Sequence, residues 1–198
     1  METGCPEREE KGEQGSPAVQ ARLFDNRTIV FGSEVSPKTA TALIEQLLAM
    51  DAADPAAPIT LFLNSPGGEV NSGFAIYDVI RFIRPPVRIV CTGLSASIAA
   101  IILLAARPEH RLAMANARLL LHQPLYSGDV IGPASDLEIT ANEILKSRAR
   151  INSIIASATG RDPDQVGEDT QRDFWLTAPE AVEYGLVSRI VSSFSELG

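Results

Sequence analysis

Hydrophobic and polar positions divide the chain into short apolar runs that alternate with stripes at helical spacing. Arg27 to Phe31 reads as a strand closed by Gly32. Ser36-Pro37 reads as a helix start, serine as cap and proline at the first helical position. Leu43, Ile44, Leu47 and Leu48 form its apolar stripe. Ile59 to Leu63 is continuously apolar, as expected of a strand buried on both faces of a parallel sheet, and it ends at the sharp turn Asn64-Ser-Pro-Gly-Gly68. Ile76, Val79, Ile80 and Ile83 then keep helical spacing until Pro85-Pro86. Val87 to Cys91 and Ile98 to Ala106 repeat the strand and the helix. Strand, helix, strand, helix at this spacing predicts right-handed βαβ units around a mostly parallel sheet.

Two short strands, Arg111 to Met114 and Ala117 to Leu121, and a loop from Pro124 to Pro133 precede the longest helical pattern, Ala134 to Thr159. Its stripe is Leu137, Ala141, Ile144, Leu145, Ile151 and Ile155, and Gly160 closes it. Such a helix is about 38 Å long, more than one small core covers, so its far end is expected to meet another subunit. Thr177-Ala-Pro-Glu180 is a capping-box start, Gly185 a stop, and Leu186 to Val191 a last strand. The first 19 residues are polar and acidic without an apolar segment, which fits a flexible tail rather than a secretory signal or transit peptide. Residues 20–198 are expected to form a single domain.

Composition narrows the function classes. Seventeen Lys and Arg against 25 Asp and Glu leave a net charge of −8, which gives a nucleic-acid partner no electrostatic footprint. Two distant cysteines argue against a disulfide framework and a Cys-held zinc, and for a reducing compartment. The 18 uncharged residues from Ile89 to Ala106 reach transmembrane length. They contain Thr92, Gly93, Ser95 and Ser97, and split into a buried strand and a buried helix, so no membrane span is expected.

Three segments could carry chemistry. The turn at residues 64–68 lies at the carboxyl end of a parallel strand, where open α/β sheets place ligands. Its paired glycines let backbone N–H groups approach a developing negative charge, or simply make a turn. Thr92-Gly-Leu-Ser-Ala-Ser97 also follows a strand and precedes a helix, so Ser95 and Ser97 are either helix caps or candidate nucleophiles. His110 lies in a charged turn and reads as solvated. His122 ends an apolar run and is either a satisfied core histidine or a general base. Which of 25 carboxylates orients it stays open on spacing alone.

Taken in order, Asn64-Ser-Pro-Gly-Gly68, Gly93-Leu-Ser-Ala-Ser97-Ile-Ala-Ala100, Leu121-His-Gln-Pro124 and Arg172-Asp173 followed by Ala178 to Val187 resemble the proteolytic subunits of the ATP-dependent Clp protease (ClpP). The resemblance runs from about Arg22 to Val191. It implies a crotonase-like α/β fold, a βαβ superhelical head with a protruding handle at about residues 123–160. It implies a serine endopeptidase with Ser97 as nucleophile, His122 as general base and Asp173 as the carboxylate that orients it. The N–H groups of Gly68 and Ile98 would form the oxyanion hole. Gly67, Gly68, Glu69 and Val70 on one side, and Pro124 and Leu125 on the other, would hold a peptide as an added strand.

The resemblance also implies partners: heptameric rings of one or two ClpP-type subunits stacked as a tetradecamer. An AAA+ unfoldase such as ClpX, ClpA or ClpC would spend the ATP and feed in unfolded polypeptides. No metal or cofactor is implied, and the expected location is the cytoplasm. The chain departs from the family pattern at Ser95, where alanine is usual, in a longer loop over 125–134 containing Pro133, at Gln171, where an acidic residue is common, and at Thr60, where an aromatic residue is often seen. Phe62 and Phe82 keep apolar character. The departures spare the triad but predict weaker ring stacking, or a need for a second subunit type. A crotonase-fold acyl-CoA enzyme and a catalytically silent ring scaffold are the competing readings. Neither requires the serine, histidine and aspartate together.

Overall fold

The computed structural model describes residues 16–125 and 131–197. Most of the expected tail falls outside the described residues, but its end is helical: α1 (Pro17–Asp25) starts on a proline at the N-terminal turn. None of its residues is buried, so no apolar stripe announced it. β1 (Thr28–Phe31), α2 (Pro37–Ala53), β2 (Ile59–Ser65), α3 (Val70–Phe82), β3 (Val87–Ala96) and α4 (Ile98–Leu103) then alternate as the pattern predicts. β4 (Arg111–Met114), β5 (Arg118–Leu121), α5 (Ala134–Thr159), α6 (Pro163–Asp169), β6 (Phe174–Thr177), α7 (Ala178–Tyr184) and β7 (Arg189–Val191) complete the order.

The main sheet runs β1-β2-β3-β4-β7 with every neighbouring pair parallel. β3 is its pivot. Ile89 to Cys91 pair with β4, whereas Leu94 to Ala96 pair with β5, and β6 lies antiparallel on β5. The change of partner occurs at Gly93, with φ +57°, where Asn64 Oδ1 accepts the N–H of Leu94 at 2.9 Å. A β-carbon on Gly93 would come within 2.7 Å of that oxygen. The strand therefore extends to Ala96, five residues past the end that the apolar run predicts.

α2, α3 and α4 supply the main core, with Leu43, Leu47, Ile76, Ile98 and Ile102 packed with Leu61 and Ile89 of the sheet. Residues that alternate with these, Val90, Leu112 and Val191, form a smaller cluster with Leu197 on the opposite face. In α2 the buried stripe is Ala40, Leu43, Leu47 and Met50, and Leu48 is exposed, so the stripe is narrower than predicted. Ser36 and Thr39 form a reciprocal capping box, and the predicted box at Thr177 and Glu180 is likewise present.

α5 has the predicted bounds and is closed by Gly160. Its buried residues, Ile151, Ile155 and Ala156, all lie in the C-terminal half, while Leu137, Ile139 and Leu145 are exposed. The helix thus leaves the head as a handle. α6 was not predicted, although Asp162 caps it by accepting the N–H groups of Asp164 and Gln165, and Pro163 begins it. The last strand is shorter than predicted because Leu186 and Val187 are spent on closing α7. Among the described residues no helix is long and apolar enough to cross a membrane.

Candidate active site

β3 is followed directly by Ser97, the N-cap of α4, whose φ of +56° and ψ of −127° lie outside the regions that side chains favour. Such strain at a strand-to-helix turn costs about 1–3 kcal/mol and holds a side chain outward at the tip. The elbow is lashed to its neighbour by the Ser97 N–H, which donates to the Leu120 carbonyl at 2.8 Å. Ser95, two residues earlier, is fully buried, with its hydroxyl turned toward the Leu63 carbonyl. Of the two candidate serines, only Ser97 lines the cleft beside the sheet.

The glycine turn packs against this elbow. A β-carbon on Gly67, with φ +93°, would lie 2.7 Å from both Ser97 Cβ and the Ala96 carbonyl oxygen. One on Gly68, with φ +144°, would lie 2.1 Å from the Val35 carbonyl oxygen. The Val35 N–H donates to the Gly67 carbonyl at 2.7 Å, and the Glu69 N–H donates to the Val35 carbonyl at 2.8 Å. In this parallel bridge the N–H and C=O of Gly68 face away from Val35. That leaves both groups available to a ligand strand. Glu69 caps α3, accepting from the Asn71 N–H at 3.2 Å, the Ser72 N–H at 2.8 Å and the Ser72 hydroxyl. The Ser72 hydroxyl, then the backbone donors, hold this carboxyl below the usual glutamate range.

His122 follows β5 directly and is partly buried. Its Nδ1 lies 2.7 Å from the Gln123 carbonyl, which can only accept. Nδ1 therefore carries the proton, and Nε2 keeps the lone pair that a general base needs. Asp173 lies just before β6 and is exposed, and no hydrogen bond joins it to His122 among the described residues. The last pair of the β5–β6 ladder is Leu121 with Phe174, so His122 and Asp173 stand one position beyond it on facing segments. Gln123 ties these segments together. Its N–H donates to the Thr170 carbonyl at 2.7 Å and its side-chain amide to the Gln171 carbonyl at 2.9 Å.

The cleft has a volume of about 680 Å³ and is lined by Gly68, Glu69, Val70, Ser97, Ile98, His122, Pro124 and Leu125. Gly67 and Asp173 are not part of its wall. Ile144, Ile151 and Ile155 of α5 supply apolar lining, and Glu34 and Glu143 acidic groups, none of which the sequence analysis placed at the site. Spacing puts the three isoleucines on one stripe of α5 but does not show that this stripe closes a cleft, and no local pattern marks the two glutamates. One cleft thus gathers a hydroxyl, an imidazole and the glycine turn. Among the described residues no group of His, Cys, Asp and Glu is placed to hold a metal. Burial pushes the Cys91 thiol up to about 12, which keeps it protonated and unreactive.

A model of the Clp protease family matches residues 10–194. The chain belongs to the Clp protease family. It is 43% identical over 173 residues to an ATP-dependent Clp protease proteolytic subunit of Porphyromonas gingivalis, covering 87% of this chain and 77% of that one. It is 47% identical over 179 residues to proteolytic subunit 3 of Rhizobium meliloti, 90% of each chain. To proteolytic subunit 2 of Treponema pallidum it is 40% identical over 196 residues, 98% of each. Membership makes the chain a ClpP-type subunit of a serine peptidase family and does not favour the acyl-CoA reading.

Within this Clp protease subunit the positions that depart from the family pattern have definite settings. Ser95 is a core residue and Thr60 is buried in β2, where its hydroxyl lies 3.4 Å from Arg88. Phe82 is exposed at the end of α3 and Phe62 is partly covered. Pro133 caps α5, its carbonyl accepting from Asp136 and Leu137. Residues 126–130 of the lengthened loop lie outside the described residues. His110 is not the solvated residue expected: Pro108–His110 form a short 3-10 turn, and His110 Nδ1 is buried without a hydrogen-bond partner among the described residues. That burial lowers its pKa from the ordinary histidine value.

Proposed function

We propose that this Clp protease subunit is a serine endopeptidase in which Ser97 attacks the scissile carbonyl and His122 Nε2 takes its proton. Asp173 orients the imidazole, and the N–H groups of Gly68 and Ile98 receive the oxyanion. The observation that carries this reading is the strained Ser97 elbow, packed on Gly67 and facing one cleft with Gly68 and His122. The attack forms a tetrahedral intermediate. His122 then returns its proton to the leaving amine, and water hydrolyses the acyl-enzyme by the same steps in reverse roles. These steps need no metal or cofactor. A substrate strand pairs with Gly68 to Val70 on one side and Pro124-Leu125 on the other, and the apolar lining from α5 takes its side chains.

We further infer rings of this chain, alone or with a second ClpP-type subunit, enclosing the active sites in the cytoplasm. An ATP-spending unfoldase would supply unfolded chains. Exposed Leu137, Ile139 and Leu145 on a handle that leaves the head support an assembly, and the printed names of the relatives support the ATP-dependent partner. A fluorophosphonate label mapped by peptide mass tests the chemistry. It is expected on Ser97 and not Ser95, and Ser97→Ala is expected to lower peptide hydrolysis by at least about 10⁴-fold. Labelling confined to Ser95, or an active variant, overturns it.

A further inference from the structure

We propose that Ser65 is a positioning residue for the oxyanion hole, a role that rests on the reading of Gly68 as an oxyanion donor. Ser65 closes β2, is fully buried and pairs in register with Ser95 beneath the nucleophile elbow. Its Oγ accepts the N–H of Gly67 at 3.2 Å. Pro66 has no N–H, so Gly67 carries the first donor of the turn, and Ser65 claims it.

The peptide unit that matters is the next one. The Gly67 carbonyl and the Gly68 N–H belong to the same trans peptide and point in opposite directions. The Val35 N–H holds that carbonyl at 2.7 Å, which aims the Gly68 N–H the other way, away from Val35, in a turn that lines the cleft with Ser97. Two consecutive glycines restrain their own dihedrals poorly, because neither has a β-carbon. The aim therefore depends on external anchors at both ends of Gly67, the buried hydroxyl of Ser65 before it and the amide of Val35 after it. Removing the first frees the peptide between Pro66 and Gly67 and lets the donor swing.

The test is Ser65→Ala in the full-length protein, assayed on a short fluorogenic peptide. We expect kcat to fall about tenfold with KM within about twofold, a fraction of the 10²–10³ that deleting a whole oxyanion donor costs. Affinity for a peptide boronate, whose tetrahedral adduct places an oxygen in the hole, should fall by the same factor, and Ser65→Thr should restore both. If Ser65→Ala does not fold by thermal melt and gel filtration, Ser65→Cys carries the same comparison, its weaker acceptor giving an intermediate loss. A kcat within twofold of the parent, or a lower melting temperature with kcat unchanged, overturns the proposal. Failure of the underlying serine-peptidase reading shows separately, as full activity in Ser97→Ala.

Discussion

His122 and Asp173 stand opposite each other one position beyond the Leu121–Phe174 pair, yet the imidazole Nδ1–H donates to the Gln123 carbonyl instead. The ladder and the two Gln123 bonds to residues 170 and 171 already bring the segments together. The stretch 171–173 between these bonds and β6 is exposed. The bond to Gln123 holds the same tautomer that a carboxylate partner selects. Asp173→Asn is expected to keep the fold and lower kcat by about 10³–10⁴-fold, with a small effect on KM. Steady-state peptide hydrolysis measures this, and a loss under tenfold removes Asp173 from the mechanism.

Gly73 gives a steric test of the Ile98 donor. A β-carbon at Gly73 would sit 2.0 Å from Ile98 Cγ1, so Gly73→Ala must displace Ile98. Overpacking of this kind costs about 1–3 kcal/mol, and kcat should fall along with the melting temperature. Gly167→Ala in α6, where the nearest atom is Asn152 Nδ2 at 3.7 Å, is the matching control. It should gain about 0.4–1 kcal/mol and leave kcat alone. Equal kcat in both variants would detach Ile98 from catalysis.

The cap of α3 makes a pH prediction. Because the donors around Glu69 hold its carboxyl below the usual glutamate range, its contribution is present above that range and is lost as pH falls through the depressed folded pKa. Glu69→Ala should cost about 1 kcal/mol at neutral pH, a melting shift of about 2–4 °C for a chain of this size. The shift should shrink in melts at acid pH. A shift of the same size at both pH values means the carboxylate charge is not what stabilises the helix.

Gln171 lines a groove between α5 and α6 with Arg148, whose guanidinium lies 3.4 Å from the Gly167 carbonyl. Its side chain is exposed, and a carboxylate there would face a cation. Homomeric double rings of this chain are expected to dissociate readily or to need a second subunit type, and Gln171→Glu to strengthen stacking and raise peptidase activity. Sedimentation velocity across a concentration series decides it. A stable tetradecamer at submicromolar concentration, unchanged by the substitution, counts against the prediction.

The βαβ alternation, the limits of α5, the Ser36 cap and the capping box at Thr177 are written in local patterns, and the structure follows them. β3 is different. Thr92 and Gly93 look like a strand end, and only the arrival of β5, with Asn64 holding the Leu94 N–H, makes them part of a strand. The choice of Ser97 over Ser95 is likewise a matter of which side chain faces the cleft, which spacing two residues apart leaves undecided. α6 has its start written in Asp162-Pro163 as cap and first residue, but its single buried residue, Val166, makes no apolar stripe. Asp173 came only from family resemblance, since no local pattern marks one carboxylate among 25.

The divided pairing of β3 also sets a timetable for synthesis. Its first half finds β2 early, but its second half has no parallel neighbour until Arg118 to Leu120 have been made, and β5 in turn waits for β6. At about 5–20 residues per second, the chain from Ser97 to Asp173 takes roughly 4–15 s to emerge. Through that interval the nascent chain carries the Ser97 hydroxyl without the full set of elbow anchor, proposed base and proposed carboxylate. On the proposed mechanism, such a subunit completes its site only when its last third closes on the middle one.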